Sequence, residues 1–281
     1  MPVENQIQMT VREIDGPFLE SARQFPLYTV IFITRGNGMY YADIGKFAFK
    51  APVLLFSTPL QKIFLAKDEL LTGYVIQFHG DFYCIEYHKA RVSCNGLLFN
   101  NIYIEPSVNL TDTEEESFRS VCLDMLKEFT ANEPDDVVMR SYLQLFLAKS
   151  SSVKLKAMAG PSAEKVKDEQ MEAFMQLLET NFLTLHKPAD YAERLTMTPN
   201  SLSKKALKYY GKSPSLMIQE RLILEAKKKL HLTRQSIKEI AYALNFSDEF
   251  YFSRFFKKFT KVSPQAYREQ AGISIVADME A

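Results

Sequence analysis

Two short stretches of this chain carry functional groups suited to gripping a polyanion. Asn200, Ser201, Ser203, Lys204 and Lys208 form one set; Glu249, Phe250, Tyr251, Arg254, Lys257 and Lys258 form the other. Lys and Arg neutralise phosphates or donate to guanine edges. Asn and Ser hydrogen-bond to bases or backbone, and an aromatic ring can cover a thymine methyl. Read at helical spacing, each set falls on one outward face, at residues 199–210 and 248–259. Leu202 and Ala206 lie on the opposite face of the first, and Phe252 and Phe256 on that of the second.

These stretches belong to one design written twice. The first copy runs from Ala192, Leu195, Thr196, Met197 and Thr198 through Leu202, Ser203 and Lys204 to Ser213-Pro214. The second runs from Ala241, Leu244, Asn245, Phe246 and Ser247 through Phe252, Ser253 and Arg254 to Ser263-Pro264, and the Ser-Pro ends are 50 residues apart. Each copy fits a helix, a tight turn and a second helix, with Ala192 or Ala241 as the small residue where the helices cross. Leu195, Met197, Leu202 and Ala206 lock the first copy, and Leu244, Phe246, Phe252 and Phe256 lock the second. Two such units imply two consecutive stops along DNA.

The surrounding elements follow from local signals. Ser213-Pro214, Thr198-Pro199 and Ser263-Pro264 pair a capping hydroxyl with a proline at the first helical position. Ser236-Ile237-Lys238-Glu239 reads as a capping box. Ile218, Leu222, Ala226 and Leu230 form a stripe suited to a helix that connects the copies. Upstream, Met171, Phe174, Met175, Leu177 and Leu178 form an amphipathic stretch. Thr111-Asp112-Thr113-Glu114 opens a helix carrying Phe118, Cys122, Met125 and Phe129. A second helix follows Pro134 with Val138, Tyr142, Leu145, Phe146 and Ala148. From Tyr28 to Ile104 short apolar runs alternate with turn signals such as Gly36-Asn37-Gly38, expected as a hairpin turn, Gly45-Lys46, Ala51-Pro52 and Thr58-Pro59. Such spacing favours a small closed or sandwiched barrel.

The whole chain, 281 residues long, has a formal net charge of zero, but that is an average. Residues 1–164 hold 15 Lys and Arg against 20 Asp and Glu, a balance of −5. Residues 165–270 hold 19 against 12, a balance of +7. An acidic sensing or assembly part joined to a basic, polyanion-facing part is the natural reading. Cys84, Cys94 and Cys122 show no CxxC spacing, which fits buried thiols in a reducing compartment. The first residues, Met1 to Gln6, lack a leader pattern and no apolar run reaches membrane-span length, so the expected location is cytoplasmic.

Residues from about 170 to 269 resemble the DNA-binding domain of AraC/XylS transcriptional regulators. The resemblance is carried by Ser236-Ile237-Lys238-Glu239-Ile240-Ala241, by Phe252-Ser253-Arg254-Phe255-Phe256-Lys257-Lys258 and by Ser263-Pro264-Gln265-Ala266-Tyr267-Arg268. It implies seven helices, with base-facing positions at Asn200, Ser203 and Lys204 and at Glu249, Phe250, Tyr251 and Arg254. The chain departs from the family at Asn245 and Lys261, where glycine is usual, and at Lys205-Ala206, where a large apolar pair is usual; looser packing of the first recognition helix is expected there. The N-terminal part is similar to the cupin-like sensor domain of the same family through Tyr28–Phe32, Arg35-Gly36-Asn37-Gly38 and Pro52–Phe56. This implies a small effector bound inside a barrel and dimerisation through the nearby helices.

The expected organisation is therefore two-domain. An all-β cupin-like barrel (1–110) carries an appended α-hairpin for dimerisation (111–152). A linker (153–167), an all-α domain with two helix-turn-helix motifs (168–270) and a tail (271–281) follow. The expected function is a sequence-specific, effector-responsive regulator that binds double-stranded DNA as a homodimer. RNA polymerase is a further partner it could meet. Arg35, Tyr40, Phe56, Phe78 and His79 are the candidate effector contacts within an N-terminal part rich in Phe and Tyr. The alternatives are a cupin-type enzyme or a protein-interaction module carrying a DNA-binding domain. A cupin metal centre needs clustered histidines, and His79, His88, His186 and His231 do not supply that spacing. Phosphate-loop and serine-nucleophile motifs are also missing, so no catalytic residue, metal or cofactor is expected.

Overall fold

The computed structural model describes residues 8–14, 17–43, 45–67, 70–83, 97–99, 105–159 and 168–273. They divide into two compact units, one up to residue 159 and the other from residue 168. Cys84, Cys94, Tyr87 and His88 lie outside the described residues, as do 160–167 of the expected linker and 274–281 of the expected tail.

In the N-terminal unit the strands are β1 (Met9–Ile14), β2 (Arg23–Gln24), β3 (Tyr28–Arg35), β4 (Asn37–Ala42), β5 (Gly45–Lys50), β6 (Val53–Ser57), β7 (Lys62–Ala66), β8 (Thr72–Phe78) and β9 (Ser107–Asn109). They form two antiparallel sheets, ordered β1-β8-β3-β6-β9 and β2-β7-β4-β5. Among the described residues no ladder joins the sheets, so of the expected closed or sandwiched barrel it is the sandwiched form, two layers, that the strands build. The expected hairpin at Gly36-Asn37-Gly38 is corrected. Gly36, with φ 108°, is the corner at which the chain leaves one sheet for the other.

The physical reason is burial on both faces of the five-stranded sheet. Val30 and Phe32 of β3, Leu54 and Phe56 of β6, and Tyr74, Ile76 and Phe78 of β8 point to one core. Ile31 and Ile33, Val53 and Leu55, and Val75 point to the other, where they meet Tyr40, Phe49, Ile63 and Leu65 of the second sheet. Strands apolar on both faces need cover on both sides. The first core is closed by α1 (Asp112–Phe129) and α2 (Asp136–Ala159), through Phe118, Cys122, Met125, Met139, Leu143, Phe146 and Leu147.

Thr111 starts α1 with a capping box closed by Glu114. The inner face of α2 is set differently from expectation: Met139, Leu143 and Leu147 are buried beside Phe146, while Leu145 is exposed. Helix α2 also continues to Ala159, so 153–159 are helical and not linker. Buried Lys154 anchors this last stretch, its Nζ donating to the Glu105 carbonyl at 2.6 Å.

The C-terminal unit is helical throughout its described length: α3 (Glu169–Asn181), α4 (Pro188–Arg194), α5 (Pro199–Tyr210), α6 (Pro214–Leu232), α7 (Ile237–Ala243), α8 (Glu249–Thr260) and α9 (Pro264–Ala271). Helix α6 runs through its centre. It buries Met217, Ile218, Leu222, Ala226 and Leu230 and touches α4 and α5 on one side and α7, α8 and α9 on the other.

Candidate nucleic-acid interface

The two copies fold to the same local geometry. In the first, α4 ends with the Leu195 N–H donating to the Tyr191 carbonyl, and the Met197 N–H reaches back to the Ala192 carbonyl at 2.8 Å. In the second, the Leu244 N–H donates to Ile240, and the Phe246 N–H to Ala241 at 2.9 Å. Between them sit Thr196 (φ 52°) and Asn245 (φ 58°), both left-handed. Ala192 and Ala241 are fully buried, as a helix crossing requires. A hydroxyl or carboxylate then caps each second helix: the Thr198 side chain accepts from the Ser201 N–H at 3.2 Å, and Asp248 from the Tyr251 N–H at 2.7 Å. That backbone bond holds the Asp248 carboxyl below the usual range.

The helices α5 and α8 turn their apolar faces inward and their polar faces outward. Leu202 and Ala206 are fully buried in the first, Phe252 and Phe256 in the second. Asn200, Lys204 and Lys208 are exposed, and Ser201 and Ser203 partly so. On α8, Arg254, Lys257 and Lys258 are exposed and Glu249 partly so, while Phe250 and Tyr251 are 78% and 51% exposed. An exposed ring is costly in water. Two side by side on one helix suit contact with an apolar base edge. Every candidate nucleic-acid residue thus lies on the outward side of one of these two helices.

Several supporting residues have partners that the sequence does not signal. Lys205, expected to loosen the first copy, is tied down: its Nζ lies 3.1 Å from Asp168 and 2.7 Å from Gln170. This ion pair keeps the Asp168 carboxyl low while Asp168 also caps α3. Arg221 of α6 pairs with Glu179 at 2.9 Å and Glu225 at 3.2 Å and lies over the Phe182 ring. Arg268 of α9 donates to the carbonyls of Leu230 and Gln235 at 3.2 and 2.6 Å, fastening the second copy to the end of α6. Apart from Glu225, one helical turn from Arg221, the hydrogen-bonding partners lie 33 to 42 positions away, where spacing alone gives no hint of them.

The candidate effector residues do not converge. Tyr40 lies in the core between the sheets, its hydroxyl donating to the Phe56 carbonyl at 3.0 Å, and burial pushes that hydroxyl's pKa up. The side chains of Phe56 and Phe78 occupy the opposite core, against Phe99. Arg35 is exposed at the end of β3, and His79 engages Asp81 through its Nδ1. Composition does not fix strand facing: Tyr40 of the second sheet points into the core between the sheets, while Phe56 and Phe78 lie on the far face of the five-stranded sheet. No group of three metal-ligating side chains occurs among the described residues, and no described helix is long and apolar enough to cross a membrane.

Comparison with known proteins addresses the C-terminal unit. Residues 191–270 match the model of a helix-turn-helix domain. The raffinose operon transcriptional regulatory protein RafR of Pediococcus pentosaceus is 28% identical over 110 residues, 39% of this chain and 40% of that protein. The HTH-type transcriptional activator RhaS of Pectobacterium carotovorum is 28% identical over 101 residues, 36% of each chain. The matched region is thus about two fifths of these relatives' length. Among solved structures, an apo ToxT variant from Vibrio cholerae overlaps 96% of this chain and all of its own at 18% identity, with a TM-score of 0.45. The C-terminal unit thus carries a helix-turn-helix domain similar to that of these AraC-type transcriptional regulators.

Proposed function

We propose that the protein is a sequence-specific regulator of transcription that sets α5 and α8 into successive major-groove segments of one duplex. The observation that carries this reading is the pair of matched turns on either side of the shared helix α6, each presenting a polar or basic face outward. In this reading Asn200, Ser203 and Lys204 face bases in the first segment, and Glu249, Phe250, Tyr251 and Arg254 in the second. Ser201, Lys208, Lys257 and Lys258 hold flanking phosphates. The basic balance of residues 165–270 favours the encounter with DNA.

The N-terminal unit is proposed as the input: a small effector is sensed there, and α1 and α2 pair two copies of the chain. Phe56 and Phe78 share a core with Phe118 of α1, so a ligand that displaced those rings would act directly on the hairpin. It shifts the regulator only if it binds the two arrangements with different affinity.

The test is selection of genomic fragments by the purified protein at controlled salt, followed by footprinting of the best site. The expected result is protection of two adjacent major-groove segments about one helical turn apart. Binding that is weak, indifferent to sequence and abolished by moderate salt would refute the double reader. Repeating the footprint with small molecules that raise the protein's Tm tests the sensing role.

A further inference from the structure

We propose that His186 is a positioning residue that braces the two helix-turn-helix copies against each other and so fixes the spacing at which they read DNA. The proposal rests on the double-reader function above. Helix α6 joins the copies, but one shared helix leaves each copy free to rock about its own packing. His186 supplies a contact that bypasses α6. It sits in the turn that leads from α3 into α4, the first helix of the first copy, with its ring centroid 5.7 Å from that of Phe246 in the turn of the second. Phe246 in turn touches Tyr251, Phe252 and Phe255 of α8 at 5.1 to 5.7 Å. The path from the first copy to the second reading helix is therefore two rings long.

The chemistry of the contact makes it conditional. Nε2 of His186 is buried and has no hydrogen-bond partner among the described residues. Burial lowers the ring's pKa, outweighing the Leu183 and Phe182 carbonyls and the Asp190 carboxylate, all of which favour the cation. From the second copy the facing group is the Phe246 ring, and Asp248, further along that segment, is committed to the Tyr251 N–H. The neutral ring is thus the form that fits. A histidine whose folded pKa is depressed contributes fully above its unfolded value, and that contribution is lost as pH falls. The brace holds at neutral pH and loosens on acidification.

The experiment measures the full chain's affinity for paired sites whose half-sites are moved apart or together by single base pairs. Wild type, His186→Ala and His186→Phe are compared near neutral pH and in acid, at a pH where the imidazole resonances show the His186 ring protonated. Wild type is expected to favour one spacing at neutral pH and to lose part of that preference in acid. His186→Ala should weaken the preference by about two- to tenfold, the worth of one aromatic contact, with affinity for an isolated half-site unchanged. His186→Phe should keep the preference and abolish its acid sensitivity. An unaltered preference in His186→Ala overturns the proposal.

A measurement without DNA separates this outcome from failure of the double reader. In nuclear magnetic resonance of the wild-type chain, protonation of His186 should shift the amides from Asn245 to Tyr251. Silence of those amides overturns the brace even if no paired site is ever found. If the amides respond but no paired footprint exists, the double reader falls, and with it the spacing role.

Discussion

In the first copy the turn bends at Thr196 and the second helix packs on Leu202 and Ala206; in the second it bends at Asn245 and packs on Phe252 and Phe256. The hydrogen bonds that close the two turns are equivalent. What differs is the chemistry behind them. Helix α7 begins with the Ser236–Glu239 capping box, which also lowers the Glu239 pKa, whereas α4 begins at Lys187 with no side-chain cap. The second copy has a continuous aromatic core, from Phe246 through Phe252 and Phe256 to Tyr267. In the first, Tyr191 of α4 meets Phe174, but the inner face of α5 offers only the aliphatic Leu202 and Ala206, with polar ties at the periphery from Lys205 to Asp168 and from Arg221 to Glu179. One backbone shape is thus reached with the second helix packed by rings in one copy and by aliphatic side chains with rim ties in the other. Rim ion pairs are worth little individually and are screened by salt. The first copy should therefore be the softer of the two.

Substitutions in both copies would sharpen or break that contrast. Phe256→Ala removes a fully buried ring and should cost about 3–5 kcal/mol in urea denaturation. A loss below about 1 kcal/mol would mean that the aromatic core is not what holds the second copy. Arg254→Ala should cost about 1–3 kcal/mol at the selected site and less on random DNA. Equal losses on both would reassign Arg254 to phosphate. Its neighbour Lys257→Ala should weaken all sequences alike and reduce the salt slope by about 0.9.

Ser236→Ala deletes the capping box and should lower stability by about 0.5–2 kcal/mol. Lys187→Ser, which offers α4 the cap it lacks, should raise it by a smaller amount; no gain would show that α4 is not limited by its start. The smallest effect should be at the turns. Thr196 is β-branched and left-handed, so Thr196→Gly should stabilise by up to about 1 kcal/mol, while Asn245→Gly stays within about 0.5 kcal/mol. Thermal denaturation of both variants decides this, and a larger gain at Asn245 would reverse the assignment of strain.

Legibility in the sequence followed the range of the interaction. The caps at Thr111, Thr198, Ser213, Ser236 and Ser263 were readable because each partner lies within three residues. The stripe Ile218, Leu222, Ala226 and Leu230 was readable because helical period fixes its facing. Strands were legible as strands, but their pairing was not. Alternation marks two faces without saying what covers each, so Gly36 read as a hairpin although it is a corner between sheets. The inner face of α2 was set slightly wrong for a related reason: nearly every turn of that helix carries apolar residues on more than one side, as exposed Leu145 shows.

By itself the sequence determined the doubled helix-turn-helix, its capped helix starts and the outward placement of Asn200, Lys204 and Lys208 on one helix and of Phe250, Tyr251, Arg254, Lys257 and Lys258 on the other. These depend on periods and on partners one turn away. Only the tertiary structure decided that the five-stranded sheet has a core on each face, that Tyr40 is parted from Phe56 and Phe78, and that Arg268 and His186 tie distant segments together. Those contacts join residues tens of positions apart, and the closure that brings them together comes from the packing of whole elements, which no local pattern encodes.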